Sequence, residues 1–175
     1  INIIYQGVLQ KGRGIKKLIE FVNFTKQYTA TIVGGGEEKE NYIRLVNKLN
    51  IQNKIIFIDP VPYLKLHKYT IRGDLGWALI DYSNLSNSYA LPNKVFEYAL
   101  MGLPVIASNI KNIKQIVNKY NIGKIITDES NNMLEKQITE LIQHKRNPIF
   151  YHNIIKNNFC WVVQHDKFIK IIRNQ

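Results

Sequence analysis

A lysine and a glutamate stand three residues apart in a segment that is otherwise almost wholly apolar, LPNKVFEYALMGLPVIAS (91–108). Pro92 predicts that a helix begins there, because the missing N–H of proline costs nothing at the first helical position. The backbone N–H groups of Asn93, Lys94 and Val95 would then point out of the helix start, and Lys94 adds a full positive charge. Free N–H groups, the helix dipole and a cation together form a site that binds phosphate.

The glutamate of this segment, Glu97, lies one turn further along the predicted helix. Its spacing puts it on the same face as Lys94 and Asn93, while neighbouring apolar residues can pack inward. A carboxylate in this position can accept hydrogen bonds from vicinal hydroxyl groups such as those of a ribose. The alternative is an exposed Lys94–Glu97 pair, which contributes only about 0.3 kcal/mol to helix stability.

Two glycine-containing loops follow predicted strands earlier in the chain. In GVLQKGRG (7–14) the glycines allow close backbone approach, while Lys11 and Arg13 bring the positive charge that a diphosphate requires. A flexible surface turn with solvated cations explains this loop equally well. In VGGGEE (33–38) the glycines would let a flat ligand lie against bare backbone, and the two glutamates suit the first turn of the next helix. Neither loop matches the P-loop or the Gly-x-Gly-x-x-Gly fingerprint.

Short β-branched runs alternate with helical patterns along most of the chain. This alternation predicts parallel strands joined by right-handed crossovers, with helices on both faces. The fold class is therefore α/β, a doubly wound, Rossmann-like parallel sheet of about six strands with additional C-terminal helices. Ligands of such sheets bind at the carboxyl ends of the strands, where the segments described above would meet. The predicted strands cover residues 2–8, 29–34, 54–59, 74–80, 104–108 and 123–127, and the clearest predicted helices cover 93–101, 112–119 and 130–144.

The composition fits one soluble domain. The 175 residues are 45% hydrophobic, and no apolar run reaches the roughly 18 residues that span a bilayer. The single cysteine, Cys160, excludes an intramolecular disulfide and a thiol-based metal site.

A net charge of +11 indicates that nucleic acid or an anionic membrane could be a partner. We expect no nucleic-acid partner, because the lysines are dispersed and the aromatic residues fall at core-like positions. The run of lysines from Lys111 to Lys124 leaves peripheral binding to an anionic membrane open.

Five segments, taken in order, resemble the carboxyl-terminal, donor-binding half of GT-B fold glycosyltransferases, specifically the retaining group called family 4. The strongest resemblance is in LPNKVFEYALMGLPVIAS, which is similar to the family's glutamate-containing helix and its Ala-x-Gly-x-Pro-Val-Ile-Ala-Ser sequence. The other segments are YQGVLQKGRGIKKLIEF, ATIVGGGEEKENYIRLV, IIFIDPVPYLKL and NFCWVVQHDKFIKII. Their order and spacing make the resemblance specific, and it covers nearly the whole chain.

The resemblance implies that these residues bind a nucleotide-sugar donor. Arg13 and Gly14 would meet the diphosphate, together with Lys94 and the helix start at Asn93. Glu97 matches the second glutamate of the family's Glu-x7-Glu motif, which binds the ribose hydroxyls. No residue is assigned a catalytic role.

The resemblance also implies where the base would lie. The loop from Gly34 to Glu37 and the backbone near Val61 would hold it. The chain departs from the family at Val8, where an arginine is common, and at Tyr89, where the first glutamate of the motif would lie near the transferred sugar. The full set of expected donor-binding residues is Gly7, Arg13, Gly14, Gly34, Gly36, Glu37, Val61, Tyr89, Leu91, Pro92, Asn93, Lys94 and Glu97.

The resemblance implies that residues 1–175 are a single nucleotide-sugar-binding domain and that an amino-terminal, acceptor-binding half lies outside them. The whole enzyme would be a retaining, hexosyltransferase-type enzyme that uses a UDP or GDP sugar. It would act on a glycan or lipid-linked acceptor in bacterial cell-surface polysaccharide synthesis, in the cytoplasm or at the inner face of the plasma membrane. We expect no metal or cofactor and no transfer by this half alone. Two alternatives stay open: half of a GT-B sugar-nucleotide epimerase, and a basic nucleic-acid-binding α/β module.

Overall fold

The computed structural model describes residues 1–81, 87 and 89–173. Strands and helices alternate as the sequence pattern predicts, and the strand bounds lie within two residues of the predicted ones. The strands are β1 (Asn2–Gln6), β2 (Thr29–Val33), β3 (Ile55–Ile58), β4 (Leu75–Ala78), β5 (Val105–Ser108) and β6 (Gly123–Ile126). The helices of the described residues are α1 (Ile15–Phe24), α2 (Lys39–Lys48), α3 (Tyr63–Thr70), α4 (Asn93–Leu100), α5 (Lys111–Tyr120), α6 (Asn131–Gln143), α7 (Pro148–Phe159) and α8 (Trp161–Arg173).

The six strands lie parallel in one sheet with the order β3-β2-β1-β4-β5-β6. The chain therefore builds outward from β1 to β3 on one side and then crosses to β4 and builds outward on the other. In the centre, Ile3 pairs with Leu75 and Ile4 with Gly76. Because the connections after β1 and β4 run in opposite directions, a crevice opens at the carboxyl edge between them. The predicted doubly wound α/β fold is confirmed.

Alternate residues of β1, β4 and β5 enter two different hydrophobic cores, one on each face of the sheet. Ile3 and Tyr5 of β1 belong to the core formed with α1, α2 and α6, whereas Ile4 belongs to the core formed with α4, α5 and α7. All three side chains are fully buried. Because helices cover both faces, the strands are apolar along most of their length rather than alternating with polar residues.

Helix α4 is fixed to the centre of the sheet through one tyrosine. The hydroxyl of Tyr98 accepts a hydrogen bond from the backbone N–H of Gln6 in β1 (3.0 Å) and donates to the carbonyl of Trp77 in β4 (3.3 Å). Complete burial raises the pKa of Tyr98 well above its ordinary value, so the hydroxyl keeps its proton. At Gly76 a Cβ would lie 2.2 Å from the Tyr98 ring, so glycine is required beneath it. The start of α4 is therefore held at the central crevice.

The last helix, α8, packs against α7 and leaves apolar side chains exposed. The predicted C-terminal helices are confirmed. Trp161 is 74% and Phe168 is 57% exposed, so these apolar side chains of α8 do not enter either core. No helix among the described residues is both long and apolar enough to cross a membrane.

The lysine run between β5 and the end of β6 is less continuous in space than in sequence. Lys111, Lys114 and Lys119 lie exposed on α5. Lys124, however, donates to the carboxylate of Glu140 at 2.6 Å. The exposed basic strip is therefore confined to α5.

Candidate functional site

The loops after β1 and β2 form one wall of the central crevice through backbone hydrogen bonds. The N–H of Gly7 donates to the carbonyl of Val33 at 3.0 Å, and the N–H of Leu9 donates to that of Gly35 at 2.8 Å. The N–H of Glu38 closes the set by donating to the carbonyl of Leu9 at 3.0 Å. The two loops therefore behave as one layer, with the first loop lying across the second.

Two glycines of the second loop are required by this layer. Gly34 has φ +148°, and a Cβ there would lie 1.9 Å from the carbonyl oxygen of Gly7. Gly36 has φ +152°, and a Cβ there would lie 2.4 Å from the carbonyl oxygen of Leu9. The sequence suggests that these glycines expose backbone to a ligand. In the structure they are required because the backbones of the two loops are in direct contact.

A cleft of about 260 Å³ lies where the first loop, the second loop and the segment after β3 meet. It brings together Gly7, Gly34 and Val61, three of the predicted donor-binding residues. Its lining is backbone and aliphatic side chain, so it suits a flat, weakly polar ring better than a charged group. The lining residues are Gly7, Val8, Val33, Gly34, Gly35, Pro60, Val61 and Leu66.

Lys94 extends from the first turn of α4 across the carboxyl end of β1. Its Nζ lies 3.8 Å from the centroid of the Tyr5 ring, a cation–π contact, and close to Gly7. Burial, followed by the nearby positive charge of Arg13, lowers the pKa of Lys94 from 10.5 to about 7, against a smaller opposing effect of Glu97. The ammonium group is thus held at the crevice beside a second cation.

Arg13 is the second cation of the site. With the amide oxygen of Gln10 turned toward it, Arg13 donates from Nη2 at 3.2 Å and from Nε at 3.3 Å. Lys11, from the same loop, instead faces Glu38 at 3.7 Å. In the described part of the chain neither Arg13 nor Lys94 forms an ion pair. Two neighbouring cations without a carboxylate partner there favour the arrival of an anion.

The start of α4 differs by one residue from the prediction. Pro92, with φ −71° and ψ 138°, precedes the helix, and Asn93 is the first helical residue. The N–H of Val95 donates to the carbonyl of Pro92 at 3.1 Å, so the prediction that it is free is wrong. By helix geometry the N–H groups of Asn93 and Lys94 have no intrahelical acceptor, and these two remain available to an anion.

Glu97 is held by hydrogen bonds rather than by Lys94. Its Oε2 accepts from Nε2 of Gln6 at 2.5 Å, and its Oε1 accepts from the hydroxyl of Tyr63 at 3.1 Å. The negative charge of Glu97 is the largest cause of the raised pKa of Tyr63. The alternative of an exposed Lys94–Glu97 ion pair is therefore wrong, because this face of α4 packs over the end of β1 and both side chains are partly buried.

Gly14 lies at the site but is also required by the fold. It precedes α1 with φ +71°, and a Cβ there would lie 2.3 Å from the carbonyl oxygen of Leu79. Its own carbonyl accepts a hydrogen bond from Nε1 of Trp77 at 3.0 Å. These contacts fix the start of α1, and with it Arg13, against β4.

The other predicted site residues lie at the rim. Tyr89 is 66% exposed, and its carbonyl accepts a hydrogen bond from the side chain of Asn112 at 3.0 Å. Leu91 and Glu37 are also exposed. Within the described residues no group of three or more His, Cys, Asp or Glu side chains is arranged to hold a metal ion. Arg13, Lys94 and the start of α4 supply positive charge at the crevice.

Sequence reasoning misses three residues that contact or support Glu97. Gln6 is the last residue of an apolar strand. An amide at the end of such a strand is the one feature of the sequence that could have marked it as a site residue. Thr70 donates to Oε1 of Gln6 at 2.6 Å, and Tyr63 lies at the start of α3. Neither position follows a pattern that separates it from ordinary helix residues.

The strand order and the crevice define a Rossmann-like α/β domain of the kind found in GT-B glycosyltransferases, with Arg13 and Lys94 at the point where the strand order reverses. The chain belongs to the family described as glycosyl transferases group 1, whose model matches residues 1–160. No curated protein sequence matches the chain.

Solved structures with this fold include one in complex with UDP. Sucrose-phosphate synthase from Thermosynechococcus elongatus gives a TM-score of 0.78 at 18% identity, over 99% of this chain and 45% of that chain. Anabaena Alr3699/HepE in complex with UDP gives 0.78 at 16% identity, over 99% and 49%. The C-terminal domain of LpcC from Francisella tularensis, a glycosyl transferase group 1 family protein, gives 0.70 at 16% identity, over 91% and 86%. The chain spans about half the length of the first two.

Proposed function

We propose that this chain is the donor-binding, C-terminal half of a retaining glycosyltransferase and that it binds a UDP or GDP sugar in the central crevice. The observation that carries this proposal is the position of Lys94, which lies over Tyr5 and beside Arg13, one helical turn from the hydrogen-bonded carboxylate of Glu97. A diphosphate and a ribose are linked in a nucleotide sugar at a comparable spacing. The complex of Anabaena HepE with UDP-glucose, which shares this fold, supports the same class of ligand.

Each part of the donor matches a different part of the crevice. The diphosphate would contact Arg13, Lys94 and the N–H groups at the start of α4. The ribose hydroxyls would donate to Glu97, and the base would enter the apolar cleft beside Val61. The transferred sugar would lie toward Tyr89, where a side chain with a hydroxyl replaces the carboxylate that the family resemblance leads us to expect.

The chemistry that this arrangement supports is departure of the diphosphate. When the bond between the sugar and the diphosphate breaks, negative charge develops on the leaving group. Fixed cations and helix N–H groups stabilise that charge without having to reorganise, which is the largest contribution in many enzymes. Arg13, Lys94 and α4 supply such groups, so the step as proposed needs no metal ion.

The acceptor would be bound by a half of the enzyme outside this sequence. The proposal of a C-terminal half is supported by the likeness to the C-terminal domain of LpcC, of which the chain covers 86%. We further propose a glycan or lipid-linked acceptor in bacterial cell-surface polysaccharide synthesis, hexosyl transfer, and a cytoplasmic location with contact to the inner membrane face. The half alone is expected to bind donor and to transfer nothing.

Binding of nucleotide sugars to the 175-residue chain tests the proposal directly. We expect calorimetry to detect a UDP or GDP sugar, and Arg13→Ala and Glu97→Ala each to weaken that binding by about tenfold or more, because each removes a charged contact. Arg44→Ala and Glu40→Ala, on the exposed surface of α2, serve as charge-matched controls that leave binding unchanged.

The proposal would be refuted by a chain that binds none of these nucleotide sugars at millimolar concentration. A chain that binds oligonucleotides with steep salt dependence would instead support the basic nucleic-acid-binding alternative.

The lowered pKa of Lys94 predicts that donor affinity depends on pH. In the free chain Lys94 has a pKa of about 7, and a bound diphosphate raises it because it favours the charged form. Below pH 7 the ammonium is already charged and affinity is constant. As pH rises above 7 the free chain loses the proton, so affinity falls by up to about tenfold per pH unit. Calorimetry with UDP-glucose from pH 6 to 8.5 measures this, since its diphosphate does not titrate there.

Lys94→Arg is the matched control for this pH dependence. Arginine stays protonated throughout the range, so the affinity of this variant should not change between pH 6 and 8.5. Wild-type binding should also take up protons at pH 8, seen as a dependence of the binding enthalpy on the buffer. A flat profile for the wild type would contradict the assignment of Lys94 to the diphosphate.

A further inference from the structure

The carboxylate of Glu97 lies at the end of a hydrogen-bonded chain that begins inside the protein. Thr70, at the end of α3, is 1% exposed, and its hydroxyl donates to Oε1 of Gln6 at 2.6 Å. Gln6, which is 2% exposed, donates from Nε2 to Oε2 of Glu97 at 2.5 Å. The hydroxyl of Tyr63 reaches the other carboxylate oxygen from the first turn of α3. Three elements of the fold therefore meet at one carboxylate.

Two contacts set the direction of this chain. The Thr70 hydroxyl has one proton and lies closer to Oε1 of Gln6, at 2.6 Å, than to the carbonyl of Leu66, at 3.1 Å, so it donates mainly to Gln6. At the other end, the Glu97 carboxylate accepts from Nε2 of the same amide. An amide has one acceptor end and one donor end, and only the donor end interacts favourably with a carboxylate. With Thr70 donating to the oxygen of Gln6, the NH₂ group is turned toward Glu97. If the Thr70 hydroxyl is removed, the amide oxygen of Gln6 loses its buried hydrogen-bond donor. The contact that holds this oxygen away from Glu97 is then gone.

The two hydrogen bonds that Glu97 accepts leave part of its carboxylate available to a diol. Each carboxylate oxygen has two lone pairs. Gln6 uses one on Oε2 and Tyr63 uses one on Oε1, so each oxygen retains one acceptor position. The charge of Glu97 raises the pKa of Tyr63, which therefore remains a donor at neutral pH. Two acceptor positions on a fixed carboxylate match the two vicinal hydroxyls of a ribose.

We propose that Thr70, acting through Gln6, is a positioning residue that makes Glu97 selective for ribose over deoxyribose. The inference rests on the proposed nucleotide-sugar function, and it adds a specificity role to a buried threonine that does not contact the ligand. A carboxylate held in one orientation accepts from both hydroxyls of a ribose at once. A carboxylate that rotates freely satisfies one hydroxyl nearly as well as two, because it adapts to the ligand.

The test compares each nucleotide with its 2′-deoxy form. Calorimetry first identifies which of UDP and GDP binds the wild-type chain more tightly, and then measures the matching 2′-deoxy diphosphate. We expect the wild type to prefer the ribo form by about tenfold, as for one hydrogen bond to a charged group. Thr70→Val should reduce that preference to about twofold while changing affinity for the deoxy form little. Thr70→Ser, which keeps the hydroxyl, should restore the preference.

Thr25→Val is the control for a purely structural effect. Thr25 is 3% exposed, and its hydroxyl donates to the carbonyl of Phe21 in its own helix, far from Glu97. It should lower the melting temperature much as Thr70→Val does and keep the ribo preference. If Thr70→Val unfolds, Gln6→Met tests the same chain of contacts with the same expected loss of preference.

The outcomes separate this inference from the proposed function. A wild type that binds neither nucleotide refutes the proposed function, and the inference with it. A wild type that binds with a ribo preference which Thr70→Val preserves refutes only the positioning role. Equal weakening of both ligand forms in Thr70→Val also refutes it, because that result indicates general damage to the site.

Discussion

Lys94→Met is expected to weaken nucleotide-sugar binding by about 30-fold or more and, at the same time, to make the free chain more stable. The loss of affinity follows from removing a charged contact to the diphosphate. The gain in stability follows from the cost of holding an ammonium group in a partly buried position beside Arg13. Methionine keeps the length of the side chain and its contact with the Tyr5 ring without the charge.

The stability effect has a defined direction with pH. Lys94 has a folded-state pKa of about 7 against 10.5 for an ordinary lysine, so between these values the unfolded chain binds more protons than the folded one. Wild-type stability therefore rises with pH through this window, and the cost is fully present below pH 7. At pH 7 we expect the free energy of unfolding of Lys94→Met to be about 1 to 2 kcal/mol higher than that of the wild type. This difference should become smaller toward pH 10.

Urea unfolding of the wild type and Lys94→Met at pH 7 and pH 9.5 measures this effect. Lys114→Met, at an exposed lysine on α5, removes the same charge and should leave the unfolding free energy within about 0.5 kcal/mol of the wild type. A Lys94→Met chain that is less stable than the wild type at pH 7 would show that Lys94 contributes to the fold rather than to the ligand.

Gly34→Ala is expected to produce a large loss of stability, on the order of 3 kcal/mol or more. At φ +148° an alanine is strained, and its Cβ would lie 1.9 Å from the carbonyl oxygen of Gly7, so backbone would have to move. That movement would break the hydrogen bonds between the first two loops. Nucleotide-sugar binding should be lost as well, since Gly7 lies beneath Lys94.

Gly12→Ala separates strain from overlap. Gly12 also has a positive φ, +77°, but the nearest atom to a Cβ there is 3.6 Å away, so only the backbone strain of about 1 kcal/mol remains. Thermal and urea unfolding of both variants should place Gly34→Ala well below Gly12→Ala. Similar stabilities for the two would mean that the loops can separate without cost, contrary to the single layer inferred here.

The fold, and the position of Lys94 and Glu97 at its crevice, were predictable because their signals are local. β-branched runs and helical spacing define the strands and helices, and the parallel topology then places the loops at one edge. Lys94 and Glu97 are visible as charges in an apolar segment, with their helix start one residue from its predicted position. The hydrophobic period defines the helices and strands, and the topology of a parallel sheet places the loops that follow them.

The support of the site was not predictable, because it depends on contacts between distant residues. Gln6 meets Glu97 across 91 positions and Thr70 across 64 positions of the chain. Gly34 must be a glycine because the carbonyl oxygen of Gly7 lies where its Cβ would be. The sequence of the second loop alone does not reveal this contact. The burial of Lys94 and Glu97 was not predictable either, since the face that carries them packs over β1 instead of lying exposed.

The hydroxyl of Tyr98 has a consequence for how the ends of a ligand are recognised together. By bonding to β1 and β4 at once, it ties α4 to both central strands. Lys94 and Glu97 belong to the same helix, so the backbone positions that carry the cation and the carboxylate keep one separation. A molecule that carries diphosphate and ribose at that distance gains both contacts after losing its freedom of motion only once. Separate phosphate and nucleoside lose that freedom twice, so under the proposed function we expect the crevice to favour a linked donor over its fragments.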